Sequence, residues 1–131
     1  MQSPARAWRE YPHRYRLDAA TCDGCGAAAY PPRPVCPSCH GRAFSKIVLP
    51  RTGKVITFTI VRVPPAGFTD QSPLVIALVE IEGGVRTMVQ LADVADLDSV
   101  TVGMPVRLEF RRIQSDGEAG VLFYGHKAVP A

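Results

Sequence analysis

All four cysteines of this chain fall in two Cys-x-x-Cys pairs, Cys22/Cys25 and Cys36/Cys39, with ten residues between the pairs. The two central residues of such a pair make a tight turn that aims both sulfurs at one ion. Two turns together supply the tetrahedral shell of zinc, with Zn–S distances of about 2.3 Å. The N-terminus lacks an apolar signal core, so the cytoplasm is expected, and there this spacing favours metal over disulfides. Four thiolates leave no open position for water, so a structural zinc is expected rather than a catalytic one. Iron accepts the same ligand set. Gly26 and Gly41 follow the pairs at positions where a positive φ is expected. His40, next to Cys39, is expected on the surface rather than on the metal. A segment of about 30 residues cannot bury a sufficient core. Metal binding worth on the order of 10 kcal/mol can stand in for it.

Beyond residue 47 the pattern changes to strands. Gly53 to Val63 is rich in β-branched and aromatic residues, and a period of two puts Ile56, Phe58 and Ile60 on one face. Leu74 to Ile81 is apolar on both faces and is expected to be covered on both sides. Gly83-Gly84 predicts a hairpin into Val85 to Leu91. Val106, Leu108 and Phe110 are expected to point inward from a fourth strand. Gly117 and Gly120 mark a loop before a fifth, Val121 to Lys127. Asp93 to Met104 carries turn signals and one expected helical turn. Its acids Asp93, Asp96 and Asp98 have the spacing of a solvated turn, not of a calcium loop. The fold expected is mainly β: an N-terminal rubredoxin-like zinc ribbon, then a five-stranded OB-fold barrel. Two packed hairpins are the competing arrangement. The expected divisions are an arm over residues 1–18, the ribbon over 19–46 and the barrel over 47–131.

Residues 1–16 of the arm hold Arg6, Arg9, Arg14 and Arg16 against Glu10 alone, interleaved with Trp8, Tyr11 and Tyr15. A short helix is expected from Ala5 to Glu10, with Pro12 as its stop. These four of the fifteen cations and one of the twelve acids give residues 1–16 a local +3, and the remaining eleven of each in residues 17–131 cancel. A neutral body with a basic arm argues against a nucleic-acid groove, which needs cations along its length. No run approaches the roughly 18 apolar residues of a membrane span. With every cysteine assigned to metal, no thiol nucleophile remains. His13, His40 and His126 stand in no recognisable arrangement with a serine or an acid, and there is no phosphate-binding loop or dinucleotide motif.

The segments WREYPHRYRL (8–17), CDGCGAAAYPPRPVCPSCH (22–40), RTGKVITFTIVRVPPAGF (51–68) and VGMPVRLEF (102–110) together resemble a known family. It comprises the zinc-ribbon plus OB-fold proteins that accompany thiolases and hydroxymethylglutaryl-CoA synthases in archaea and some bacteria. YPPRPVCP (30–37) is the most specific stretch, and the likeness covers nearly the whole chain. The arm looks shorter than the helical hairpin of many members. The resemblance implies a non-catalytic subunit bound to a thiolase-fold enzyme, with an OB barrel that contacts coenzyme A or tethers two active sites. Related pairs serve acetoacetyl-CoA formation, aromatic acyl-CoA thiolysis, polyketide acylation or steroid side-chain cleavage. The metal ligands carry over as Cys22, Cys25, Cys36 and Cys39; no comparable set of coenzyme A contacts does.

Three functions compete on these grounds. The first is a companion subunit of an acyl-CoA C-acyltransferase. In that reading Trp8, Tyr11 and Tyr15 dock the partner, Phe68 anchors from the 64–68 loop, and Arg62 or Arg86 lies near the coenzyme A phosphates. The second is a single-stranded nucleic-acid binder. The third is a small iron redox protein.

Overall fold

The computed structural model describes residues 3–66, 68, 71–115 and 122–131. Helix α1 spans Pro4–Arg16. A three-stranded antiparallel sheet follows, β1 (Asp18–Cys22), β2 (Ala28–Ala29) and β3 (Phe44–Val48), in the order β2-β1-β3. Strands β4 (Thr52–Val61), β5 (Leu74–Ile81), β6 (Arg86–Leu91), β7 (Pro105–Ser115) and β8 (Leu122–Pro130) then close a barrel in the order β4-β5-β6-β8-β7. This is the five-stranded Greek-key barrel of the OB fold, and the two-hairpin alternative is excluded. Between β6 and β7 one 3₁₀ turn covers Leu97–Ser99, capped by the Asp96 side chain accepting from Asp98 N–H.

The helix runs through Pro12 instead of stopping there. Pro12 lacks the N–H that would reach the Trp8 carbonyl, so one helical bond is lost. The turns on either side are held by other means. Glu10 bridges Arg6 (3.0 Å) and Arg14, and Trp8, Tyr11 and Tyr15 pack ring on ring at 5.3 Å centroid spacings. Leu17 ends the helix in the left-handed region (φ 55°) and is buried.

Strand periodicity predicts the barrel core only up to its bulges. The register of β4 against β5 slips between Val55 and Thr57. Val55 is therefore fully buried, while Ile56, expected to share a face with Phe58 and Ile60, is the extra residue. The slip has a visible cause. Val55 N–H and C=O both bond to the turn ahead of β7, through Met104 O (3.0 Å) and Gly103 N (2.7 Å). On β7, Val106 and Leu108 are buried as expected, but Phe110 is 46% exposed. The alternation holds; what changes is the neighbour. Past Leu108 this face of the strand leaves the barrel interior and meets α1, where Phe110 lies 5.0 Å from Tyr15. On β5, Val75, Ala77, Val79 and Ile81 are buried, whereas Ile76 and Leu78 on the other face are only half covered.

Ribbon and barrel share one core. Leu17, Ala19 and Leu49 belong to the same buried cluster as Val55, Val79, Val106 and Ala128. Leu49 N–H also bonds to Leu17 O at 3.1 Å. The glycine pair forms the expected turn, with Gly83 and Gly84 at φ 105° and 97°. Gly117 and Gly120 lie outside the described residues. Gly53 pairs with Ile81 on one side and Val106 on the other. A Cβ there would sit 2.5 Å from the Glu80 carbonyl oxygen. Gly53→Ala is accordingly expected to destabilise the protein by about 2 kcal/mol or more, read as a lower midpoint in chemical denaturation with an unchanged slope.

Candidate metal centre and exposed surface

Strand β1 delivers Cys22 at its last residue, paired with Phe44 of β3. The two knuckles then repeat one hydrogen-bond scheme. Gly26 N–H reaches Cys22 O (2.8 Å) and Cys22 N–H reaches Ala27 O (2.8 Å). In the second knuckle His40 N–H reaches Cys36 O (2.9 Å) and Cys36 N–H reaches Gly41 O (2.9 Å). Gly26 and His40 are thus equivalent, with φ of 78° and 62°. The positive φ expected at Gly41 falls on His40 instead. Gly41 serves by its lack of a side chain, since a Cβ there would lie 3.3 Å from Cys39 Sγ. His40 is exposed and stands outside the cysteine cluster.

The four Sγ atoms lie within 4.8 Å of one another, with Cys22–Cys39 at 3.4 Å and Cys25–Cys36 at 3.5 Å. A disulfide needs about 2.05 Å. A tetrahedron of thiolates at zinc distances has S···S edges of about 3.8 Å, so the donor set fits such an ion. The electrostatics agree. The N–H groups of Cys39 and Ser38 point at Cys36 and push its thiol down to about 6. Those of Cys25 and Gly24 lower Cys22 in the same way. Cys25 takes the lowering Ala27 N–H but shares protons with Cys36 and Cys39, which together push it up to about 12. For Cys39 the Gly41 N–H lowers and the contact with Cys22 raises, and the net shift is upward. Each short S···S contact joins one low thiol to one high one, and a divalent cation replaces such shared protons directly.

The other candidate residues are dispersed. Trp8 is 73% exposed, and Tyr11 and Tyr15 lie beside it on α1. Arg62 is exposed just after β4 and uses its carbonyl to accept from Ser72 Oγ. Phe68 is half-buried. Arg86 is exposed at the start of β6 and pairs with Glu80 at 3.6 Å. Because Arg62 adjoins the Leu74 end of β5 and Arg86 pairs across from Glu80, the two are separated by roughly 20 Å of strand. They cannot grip one diphosphate together. Asp93 is held by Arg111 at 2.7 Å and Asp96 caps the 3₁₀ turn, as a solvated turn requires. Sequence reasoning missed the continuation of the aromatic surface onto the barrel through Phe110, Leu122 and Tyr124. Its signal was there: Leu122, Tyr124 and His126 alternate along β8 where an outer face would be polar.

A family model described as the ChsH2 rubredoxin-like zinc ribbon domain matches residues 9–45, and one described as the ChsH2 C-terminal OB-fold domain matches residues 47–111. A DUF35 domain-containing scaffold protein of Methanocaldococcus jannaschii is 42% identical over 126 residues, covering 95% of this chain and 89% of its own length. The chain belongs to the DUF35 family of scaffold proteins. A second such protein, of Pyrococcus furiosus, is 39% identical, with 96% and 91% covered. Among solved structures, a chain of one described as "Ltp2-ChsH2(DUF35) aldolase" superposes with a TM-score of 0.73 at 27% identity, covering 99% of this chain and 95% of its own. Among the described residues no helix is long and apolar enough to cross a membrane.

Two outcomes follow from this geometry. Cys36→Ser is expected to reduce bound zinc well below about one ion per chain and to unfold the ribbon, read by elemental analysis and hydrogen exchange; full zinc with native exchange would contradict the tetrathiolate assignment. His126 is half-buried with Nδ1 2.9 Å from Arg14 O. Burial lowers its pKa below the usual 6.5, against the raising effect of the Arg14 carbonyl. The unfolded chain then binds the extra proton more readily, so this group's contribution is intact above the unfolded value and is lost as pH falls through the folded one. Thermal stability is expected to fall between pH 7.5 and 5.5, and His126→Gln should remove that part of the fall.

Proposed function

We propose that this chain is the non-catalytic subunit of a thiolase-type acyl-CoA acyltransferase complex, a scaffold that supplies interface area and lines the approach for coenzyme A. The observation that carries this reading is the end-to-end likeness to a chain of the Ltp2-ChsH2(DUF35) aldolase, with 99% and 95% of the two chains covered. The scaffold designation of the archaeal relatives supports it. So does the cysteine inventory. All four thiols converge on one site, which leaves none to carry an acyl group. The four thiolates hold one structural zinc, whose closed shell gives substrate no place to bind.

In this reading Trp8, Tyr11 and Tyr15 meet the enzyme subunit. Phe68 and the exposed Arg62 border the entry for coenzyme A, while Arg86, already engaged by Glu80, contributes at most to the rim. The catalytic groups reside on the partner. Affinity purification from the native host, followed by mass spectrometry of what stays bound, tests the class. A thiolase-fold enzyme in fixed ratio is the expected result. A chain that purifies with nucleic acid, or with no enzyme, would overturn the proposal.

A further inference from the structure

We infer that α1 and the β7–β8 hairpin form one composite docking face whose occupant is an apolar, acid-rimmed patch on the enzyme subunit. This rests on the scaffold reading above and extends it from the arm onto the barrel. The rings make a continuous ladder. Trp8 touches Tyr11, Tyr11 touches Tyr15, Tyr15 meets Phe110 at 5.0 Å, and Phe110 stacks on Tyr124 at 5.5 Å. Phe110 is 46% and Leu122 47% exposed. A hollow of about 440 Å³ opens among Pro4, Ala7, Trp8, Tyr11, Tyr15 and Leu122. Contiguous exposed apolar side chains of this kind mark an interaction surface, and Trp, Tyr and Arg are the residue types that carry interface energy. The face is also preorganised. The Tyr15–Phe110 contact and the bond between His126 and Arg14 O seat the helix on the barrel, so little ordering remains to be done on binding.

Charge selects the occupant. Glu10 is the one acid of the helix, and it is held between Arg6 and Arg14. Arg112, two residues from Phe110 on the same face of β7, makes no ion pair among the described residues, and Arg9 on α1 makes none and acts on Glu10 only through its field. A patch rimmed by carboxylates complements them. Nucleic acid fits less well. The ladder rings lie at 47°, 66° and 79° to one another, with only Phe110 and Tyr124 near parallel at 13°, whereas base stacking needs free parallel faces.

The test uses the full chain, in which Trp8 is the single tryptophan, labelled with 5-fluorotryptophan. Its ¹⁹F signal should show solvent exposure in the free chain and lose it in the purified complex with the enzyme subunit. L122D and R112E, both at exposed positions, should each weaken the complex at least about tenfold while zinc content and circular dichroism stay native. Added salt should weaken it further. Unchanged affinity in both variants, or a Trp8 signal still exposed in the complex, would overturn the inference while leaving the scaffold function standing. An enzyme of another class that binds with the same dependence on Leu122 would keep the face and overturn the thiolase reading. Self-association of the free chain that L122D abolishes, or a shift of the Trp8 signal by a single-stranded oligonucleotide at physiological salt, would assign the face to a different occupant and sink the proposal.

Discussion

The convergence of four sulfurs within 4.8 Å is the constraint on which the rest of the molecule depends. The ribbon has three short strands, one of two residues, and between residues 19 and 46 its buried apolar side chains are only Ala19, Ala20, Cys22 and Cys36. A metal bound by the four cysteines would supply the energy that so small a core cannot. What the ribbon holds then matters for the rest. It carries Leu17 and Ala19 into the common core with the barrel. It also presents Tyr30, whose hydroxyl donates to the His13 carbonyl at 3.4 Å. Helix α1 is seated between that contact and His126 of β8. The aromatic surface is thus positioned through contacts that begin in the ribbon holding the four cysteines.

Electrostatics within the knuckles follow from backbone shape. Backbone N–H groups aimed at Cys22 and Cys36 stabilise thiolates, and the turn that aims them requires a left-handed residue directly after each pair. Gly26 adopts that conformation freely. His40 adopts it at a cost of about 1–2 kcal/mol, which a strongly held metal can sustain.

The features legible in the sequence were those set by local chemistry. Cysteine spacing found the four-cysteine cluster, the Gly83-Gly84 pair found its turn, and the apolar run 74–81 found β5 to the residue. The features that escaped were set by tertiary neighbours. No local signal told that Val55 would bond to the turn at Gly103 and Met104, so the bulge that displaces Ile56 from the core face was invisible. Pro12 reads as a stop because its lost bond is local, while the ion pairs and ring contacts that carry the helix past it span several turns and the barrel. Phe110 has core periodicity, but past Leu108 its strand face leaves the barrel interior, and α1 covers the ring only in part. For the candidate site, the four cysteines were readable as a cluster, but the barrel half of the aromatic face was not, because it joins residues more than a hundred positions apart.

Physically, this is a chain with one four-cysteine cluster, a nearly charge-balanced barrel and an aromatic, cationic flank. That combination favours holding a partner over performing chemistry. The most direct test of this claim is a turnover assay of the rigorously purified, zinc-loaded chain on acetyl-CoA and acetoacetyl-CoA, alone and with the enzyme subunit. No thiolysis or condensation is expected from the chain alone, and turnover is expected only with the enzyme present. Turnover by the isolated chain that a single substitution such as His126→Gln abolishes would contradict it.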